Sequence, residues 1–116
     1  MLIKDNHLQA AGSIRPAIER AREIAPHTLR VKVETEYLAQ VQEALDAGAD
    51  VLMLDNMDLE TRRQVVALCR GRALTEASGG INEQTIRAVA ETGVDLISVG
   101  ALTHSVTALD ISLDWE

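Results

Sequence analysis

Apolar residues along this chain alternate between two rhythms. Short apolar runs at Leu2-Ile3, Leu29 to Glu34, Val51 to Leu54, Ala73 to Thr75 and Leu96 to Val99 read as buried strands. Between them, longer stretches keep helical spacing. Ile14, Ile18, Ala21 and Ile24 share one face of the first, and Leu38, Val41, Ala44 and Leu45 mark the second. Leu59, Val65, Val66 and Leu68 mark the third, and Ile86, Val89 and Ala90 the fourth. Gly48 and Gly93 stand where two of these helices should stop, as left-handed C-terminal glycines do. Pro16 suits a first helical turn, and Asn82 is the expected N-cap of the fourth helix.

The resulting order is β, α, β, α, β, α, β, α, β. Strands joined through helices run parallel with right-handed crossovers. The junctions Ala47-Gly48-Ala49-Asp50 and Thr92-Gly93-Val94-Asp95 look like an internal βα repeat. The fold class is therefore α/β, an arc of a parallel (β/α) barrel amounting to the C-terminal half of a TIM-like barrel. A doubly wound sheet is the alternative.

Composition narrows what such a unit can do. The 116 residues make one domain, able to bury about two-thirds of its unfolded surface. A net charge of −7 argues against a general nucleic-acid or anionic-membrane binder, though a local anion pocket stays compatible with it. With no Phe and only Tyr37 and Trp115 as aromatics, nucleic-acid bases find no stacking surface. The single cysteine, Cys69, reads as a buried thiol in a reducing compartment. No apolar run reaches the roughly 20 residues of a membrane helix, and no signal peptide is evident. The expected location is cytoplasmic.

In parallel β/α folds, ligands sit at the C-terminal ends of the strands, and the notable polar residues collect there. Lys4 ends the first strand, Glu34 the second, and Asp55 with Asn56 the third. Glu76, Ser78, Gly79 and Gly80 follow the fourth, and Gly100 follows the fifth. Any one of these could simply end a strand, but the set together points to a site. Glu34 and Asp55, from neighbouring strands, can accept sugar hydroxyls, coordinate Mg²⁺, stabilise a developing cation or act as an acid/base pair. Ser78-Gly79-Gly80, entering a helix expected to start near Asn82, offers backbone N–H groups to an anion. Val99-Gly100-Ala101 could complete a phosphate cup. His104 is expected on the same rim and His27 in solvent, while Arg62-Arg63 reads as a solvated helix face.

The strings Leu2-Ile3-Lys4-Asp5-Asn6-His7, Met53-Leu54-Asp55-Asn56, Glu76-Ala77-Ser78-Gly79-Gly80-Ile81 and Val99-Gly100-Ala101-Leu102-Thr103-His104-Ser105 resemble the quinolinate phosphoribosyltransferase family in order and spacing. That resemblance implies phosphoribosyl transfer from 5-phosphoribosyl 1-pyrophosphate to quinolinate with decarboxylation, Mg²⁺ as cofactor, and a homo-oligomer. Lys4 then matches the lysine that contacts quinolinate, and Glu34 and Asp55 the carboxylates that hold ribose hydroxyls and metal. Ser78, Gly79, Gly80, Val99, Gly100 and Ala101 match the 5′-phosphate cradle. His7 and His104 match rim positions. The family pattern has a second acid two residues before Glu34, where this chain has Lys32, expected to pair with Glu34 or alter charge near the metal. The family's N-terminal α/β sandwich domain and its substrate-gripping arginines have no counterpart among these residues. The alternative is an inactive half-barrel that oligomerises and at most binds phosphate.

Overall fold

The computed structural model describes residues 1–4 and 13–99, and the backbone of 113–114. Six strands form one sheet: β1 (Leu2–Ile3), β2 (Lys32–Thr35), β3 (Val51–Asp55), β4 (Leu74–Ser78), β5 (Leu96–Ile97) and β6 (Leu113–Asp114). Four helices connect the first five: α1 (Ile14–Ile24), α2 (Leu38–Asp46), α3 (Leu59–Cys69) and α4 (Ile86–Glu91). The strands lie in chain order, with β1 to β5 mutually parallel. A doubly wound sheet must reverse its order partway, so this sequence of neighbours selects the barrel arc. β6 departs from the expected pattern. It pairs antiparallel with β5, Leu96 opposite Asp114 and Ile97 opposite Leu113, a return the βα repeat does not contain.

Register separates the sheet into two unlike faces. Ile3, Val33, Leu52, Leu54, Ala77 and Ile97 turn to one side, where they pack with Ile18, Val41, Val65 and Val89 of the helices. Burying each Val, Leu or Ile among these stabilises the fold by about 1.5–3 kcal/mol. Two threonines share this dry face because each has an internal partner. Thr35 Oγ1 donates to the Met53 carbonyl at 3.0 Å, and Thr75 Oγ1 donates to Asp95 at 3.1 Å. The opposite face carries Lys32, Glu34, Met53, Asp55, Glu76 and Ser78.

The helix boundaries follow local chemistry. Asp58 caps α3 by accepting the Thr61 N–H at 2.7 Å, which holds its carboxyl below the usual 3.8, chiefly through that backbone hydrogen bond. Gly48 and Gly93 take φ of +88° and +92° just past α2 and α4, as a left-handed stop requires. Three expected inward residues face solvent instead. Ile24 lies at the last turn of α1 before Pro26 and is 71% exposed, and Leu38 and Leu68 are also exposed. In α3 the inward stripe is Arg62, Val65, Val66 and Cys69, which leaves Leu68 outside it. Burial pushes the Cys69 thiol up to about 11, in keeping with the buried-thiol reading.

Candidate functional site

The polar face reaches its C-terminal rim at Lys4, Glu34, Asp55 and Ser78. Ile3 pairs with Val33 and Glu34 with Met53, so Lys4 and Glu34 lie at neighbouring levels, with Lys4 exposed. Asp55 is the last residue of β3 and pairs with Ser78, the last of β4. Ser78 Oγ donates to Asp55 Oδ1 across a long 3.4 Å. Glu76 and Ser78, expected in the loop, are inside β4, which runs three residues further than the apolar run alone suggested.

Beyond β4 the chain turns through Gly79 and Gly80, with φ of +78° and +65°. A Cβ at Gly79 would come within 2.6 Å of Asn56 Oδ1 and 2.7 Å of Asp55 Oδ1. Only glycine lets this backbone approach the carboxylate rim so closely. Asn56 itself adopts a left-handed φ of +52°, and its N–H donates to the Ser78 carbonyl at 3.1 Å. Among the described residues, the N–H groups of Gly79, Gly80 and Ile81 have no protein acceptor.

The following turn differs from expectation. α4 begins at Ile86, not near Asn82, and the Asn82, Gln84 and Thr85 amides ahead of it are already engaged. Asn82 Oδ1 accepts from the N–H of Gln84 at 2.8 Å and of Thr85 at 3.1 Å, and the Asn82 carbonyl accepts from Ile86 at 2.9 Å. Asn82 therefore caps a turn ahead of the helix, and any anion here would be held by the three amides before it.

Arg62 corrects the solvated-face reading outright. It is only 5% exposed, and its Nη2 donates to the Ser78 carbonyl at 3.1 Å. Burial lowers the pKa of its guanidinium, while the charges of Asp55 and Asp58 act to raise it. Arg63, by contrast, is exposed, paired loosely with Glu60 at 3.6 Å. Lys32 shows an ion pair to Glu76, Nζ to Oε2 at 2.7 Å, spanning β3. That contact is an ion pair without hydrogen-bond alignment, and Ser98 Oγ donates to the other oxygen of Glu76 at 2.8 Å. Lys32 and Glu76 share one face of the sheet, and because Glu76 lies level with Met53 and Glu34, the lysine reaches across β3 and two residues along it to make this pair.

The chain matches the family described as quinolinate phosphoribosyl transferase, C-terminal domain, over residues 1–114. It belongs to that family. A probable nicotinate-nucleotide pyrophosphorylase (carboxylating) from Bacillus subtilis is 48% identical over 114 residues, 98% of this chain and 39% of that protein. A nicotinate-nucleotide pyrophosphorylase (carboxylating) from Rattus norvegicus is 39% identical, covering 97% of this chain and 39% of its own length. Among solved structures, the nicotinate-nucleotide pyrophosphorylase from Francisella tularensis superposes with a TM-score of 0.86 at 41% identity, covering 94% of this chain and 39% of that one. The chain thus spans about 40% of the length of these relatives.

Within this quinolinate phosphoribosyltransferase unit, Lys4, Glu34, Asp55, Ser78, Gly79 and Gly80 lie at the C-terminal rim, and Val99 is buried just past β5. His7, Gly100, Ala101 and His104 lie outside the described residues. The described residues contain no cluster of three potential metal ligands. Glu34 and Asp55 are carboxylates on the same face of adjacent strands, and Mg²⁺ sites commonly use one or two carboxylates together with waters and phosphates. No helix among the described residues is long and apolar enough to cross a membrane. Arg62 is the residue that sequence reasoning missed. Its signal was positional: residues 62, 65, 66 and 69 make an i, i+3, i+4, i+7 stripe with an arginine in it.

Proposed function

We propose that this rim binds the phosphoribosyl part of 5-phosphoribosyl 1-pyrophosphate and serves the transfer of that group to quinolinate, with decarboxylation to nicotinate mononucleotide. The observation that carries the reading is the run of three unengaged amides at Gly79, Gly80 and Ile81 beside the Asp55 carboxylate. Those amides suit a 5′-phosphate, with Ser78 adding a hydroxyl. Asp55 and Glu34 suit ribose hydroxyls and offset positive charge that develops at the anomeric carbon as pyrophosphate leaves. Bound Mg²⁺, held by the same two carboxylates, would neutralise charge on the pyrophosphate. Lys4 supplies a cation at the exposed end of β1 for a pyridine carboxylate.

Quinolinate and pyrophosphate together carry more negative charge than this rim can match. Among the described residues of the polar face, Lys32 is held by Glu76, and Arg62 lies behind the strand ends. Uncompensated desolvated charge costs several kcal/mol per ion. The 116-residue chain alone is therefore expected to bind phosphate without measurable turnover, with the rest of the enzyme, including an N-terminal sandwich domain, restoring activity when added. We further infer a homo-oligomer and a cytoplasmic location. Among the described residues β1 has a neighbour on one side only, an edge to which a second copy can add.

The test is nicotinate mononucleotide formation by the purified chain, with and without the complementary portion of a family member. Clear turnover by the chain alone would remove the requirement for further cations. No phosphate binding by the chain would remove the cradle. Sedimentation as a monodisperse monomer at micromolar concentration would remove the oligomer.

A further inference from the structure

We infer that Arg62 is a positioning residue of the rim: it fixes the Ser78–Gly79 peptide so that the Gly79 N–H faces the anion, and it sets a cation behind Asp55. This rests on the cradle reading above, which it deepens.

The sequence places Arg62 for this task. β3 ends at Asp55, and only three residues separate it from α3, whose start is held by Asp58. Arg62 lies one turn into the helix, its N–H bonded to the Asp58 carbonyl at 3.0 Å. Helical side chains lean toward the helix N-terminus, which here directs the guanidinium back over the ends of β3 and β4. It reaches the Ser78 carbonyl at 3.1 Å, on the same oxygen that accepts the Asn56 N–H at 3.1 Å. Both acceptor sites of that carbonyl are then filled.

The consequence is carried by the peptide plane. No peptide in the described chain is cis, and in a trans peptide the C=O and the following N–H point in opposite directions. With the Ser78 oxygen held toward β3 and α3 by two donors, the Gly79 N–H must face away from them. Gly79 is free to rotate otherwise, because its left-handed conformation carries no Cβ restraint. Arg62 thereby removes a conformational freedom that glycine introduces, before any anion arrives.

The charge has a separate use. A buried guanidinium is costly, and a neutral amide could fill the Ser78 carbonyl at less cost. Arg62 Nη2 is bonded to the carbonyl of Ser78, the residue level with Asp55 at the strand ends, and the Asp55 charge favours the guanidinium there. A cation behind that carboxylate lowers the repulsion between Asp55 and an incoming phosphate. Arg62 Nε is buried without an acceptor, so the guanidinium is not placed to satisfy all its own donors. The guanidinium's hydrogen-bond acceptor is the Ser78 carbonyl, which sets its position.

The test uses the 116-residue chain, inorganic phosphate as probe, and Arg62→Met, Arg62→Gln and Arg62→Lys. Calorimetry gives the phosphate Kd, and ¹⁵N spectra of the free chain follow the Gly79 and Asn56 amides, with Val31 and Thr75 as remote references. Arg62→Met is expected to weaken phosphate at least tenfold and to displace Gly79 and Asn56 while Val31 and Thr75 stay in place. Arg62→Gln should recover the amide positions better than the affinity, and Arg62→Lys the affinity better than the amide positions. A folded Arg62→Met with affinity within twofold and unmoved Gly79 and Asn56 signals overturns the inference. If the unmodified chain binds no phosphate, the cradle reading fails, and the amide signals alone decide whether Arg62 positions the peptide. If Arg62→Met does not fold, the Gln and Lys variants decide by the same readouts, and unchanged amides and affinity in both overturn it.

Discussion

The two ends of the sheet use the same residue in opposite ways. At the N-terminal ends of the strands, Asp50 accepts the Val31 N–H at 2.7 Å and Arg22 at 2.8 Å. Asp95 accepts the Thr75 N–H at 2.8 Å and its hydroxyl at 3.1 Å. Each follows a helix-terminating glycine, and each clamps the start of the preceding strand. At the C-terminal ends, Asp55 receives a 3.4 Å contact from Ser78, beside a loop whose amides are open. The carboxylates of Asp50 and Asp95 are saturated by the sheet, whereas Asp55 takes a single long hydrogen bond among the described residues. The repeat at Asp50 and Asp95 is therefore an architectural motif, and the proposed site lies at the other rim.

The largest expected effect breaks the C-terminal rim. Gly79→Val places a Cβ 2.6–2.7 Å from the Asn56 and Asp55 side-chain oxygens at a positive φ, so phosphate affinity should fall at least a hundredfold. Backbone strain alone is worth about 1–3 kcal/mol, which urea titration would record as a lower midpoint. Retained phosphate-dependent thermal stabilisation in this variant would dissolve the distinction between the rims.

At the N-terminal rim the effect should fall on stability alone. Asp95→Ala leaves the buried Thr75 N–H without its acceptor, at about 1–3 kcal/mol. Calorimetry should find its phosphate affinity within twofold of the original. A tenfold loss would mean the two ends are coupled.

Much of this division was readable from the chain. Polar residues closing the apolar runs marked the C-terminal ends, and the glycine-aspartate junctions marked where helices stop and strands begin. Arg62 was not readable in that way. An adjacent arginine pair on a helix resembles a solvated patch until the Ser78 carbonyl, sixteen residues on, is seen to lie opposite it. Lys32 has the same character. Its partner Glu76 is two strands away on the same face of the sheet, a contact that spacing along β2 does not show. β6 was missed because a two-residue antiparallel pair has no periodicity to detect.

Smaller perturbations sharpen the same comparison. Asp58→Ala removes the cap of the helix that carries Arg62, and the melting temperature should drop by a few degrees at neutral pH. Because the Asp58 pKa is lowered in the fold, its stabilisation is present above 3.8 and is lost as pH falls below that value. Melting curves of the two proteins should converge in acid, and a constant gap would refute the assignment. Least of all should come from Arg22→Met. Its ion pair with Asp50 is about two-fifths exposed, and such contacts are worth about 0–1 kcal/mol. Asp50 keeps its hydrogen bond from Val31, so urea midpoints should barely move.

Strand order also has a kinetic side. Each parallel neighbour is the next strand along the chain, with Lys32 opposite Val51, Val51 opposite Leu74 and Glu76 opposite Leu96. Every one of these pairings closes a loop of similar, short length, and doubling such a loop would add only about 0.6 kcal/mol of closure entropy. Among the described strands none has to wait for a partner from the far end of the chain. The sheet can therefore zip from any hairpin-sized β-α-β unit outward, and β3-α3-β4, which holds Asp55, Arg62 and Ser78 within one such unit, can organise its rim before β1 has joined.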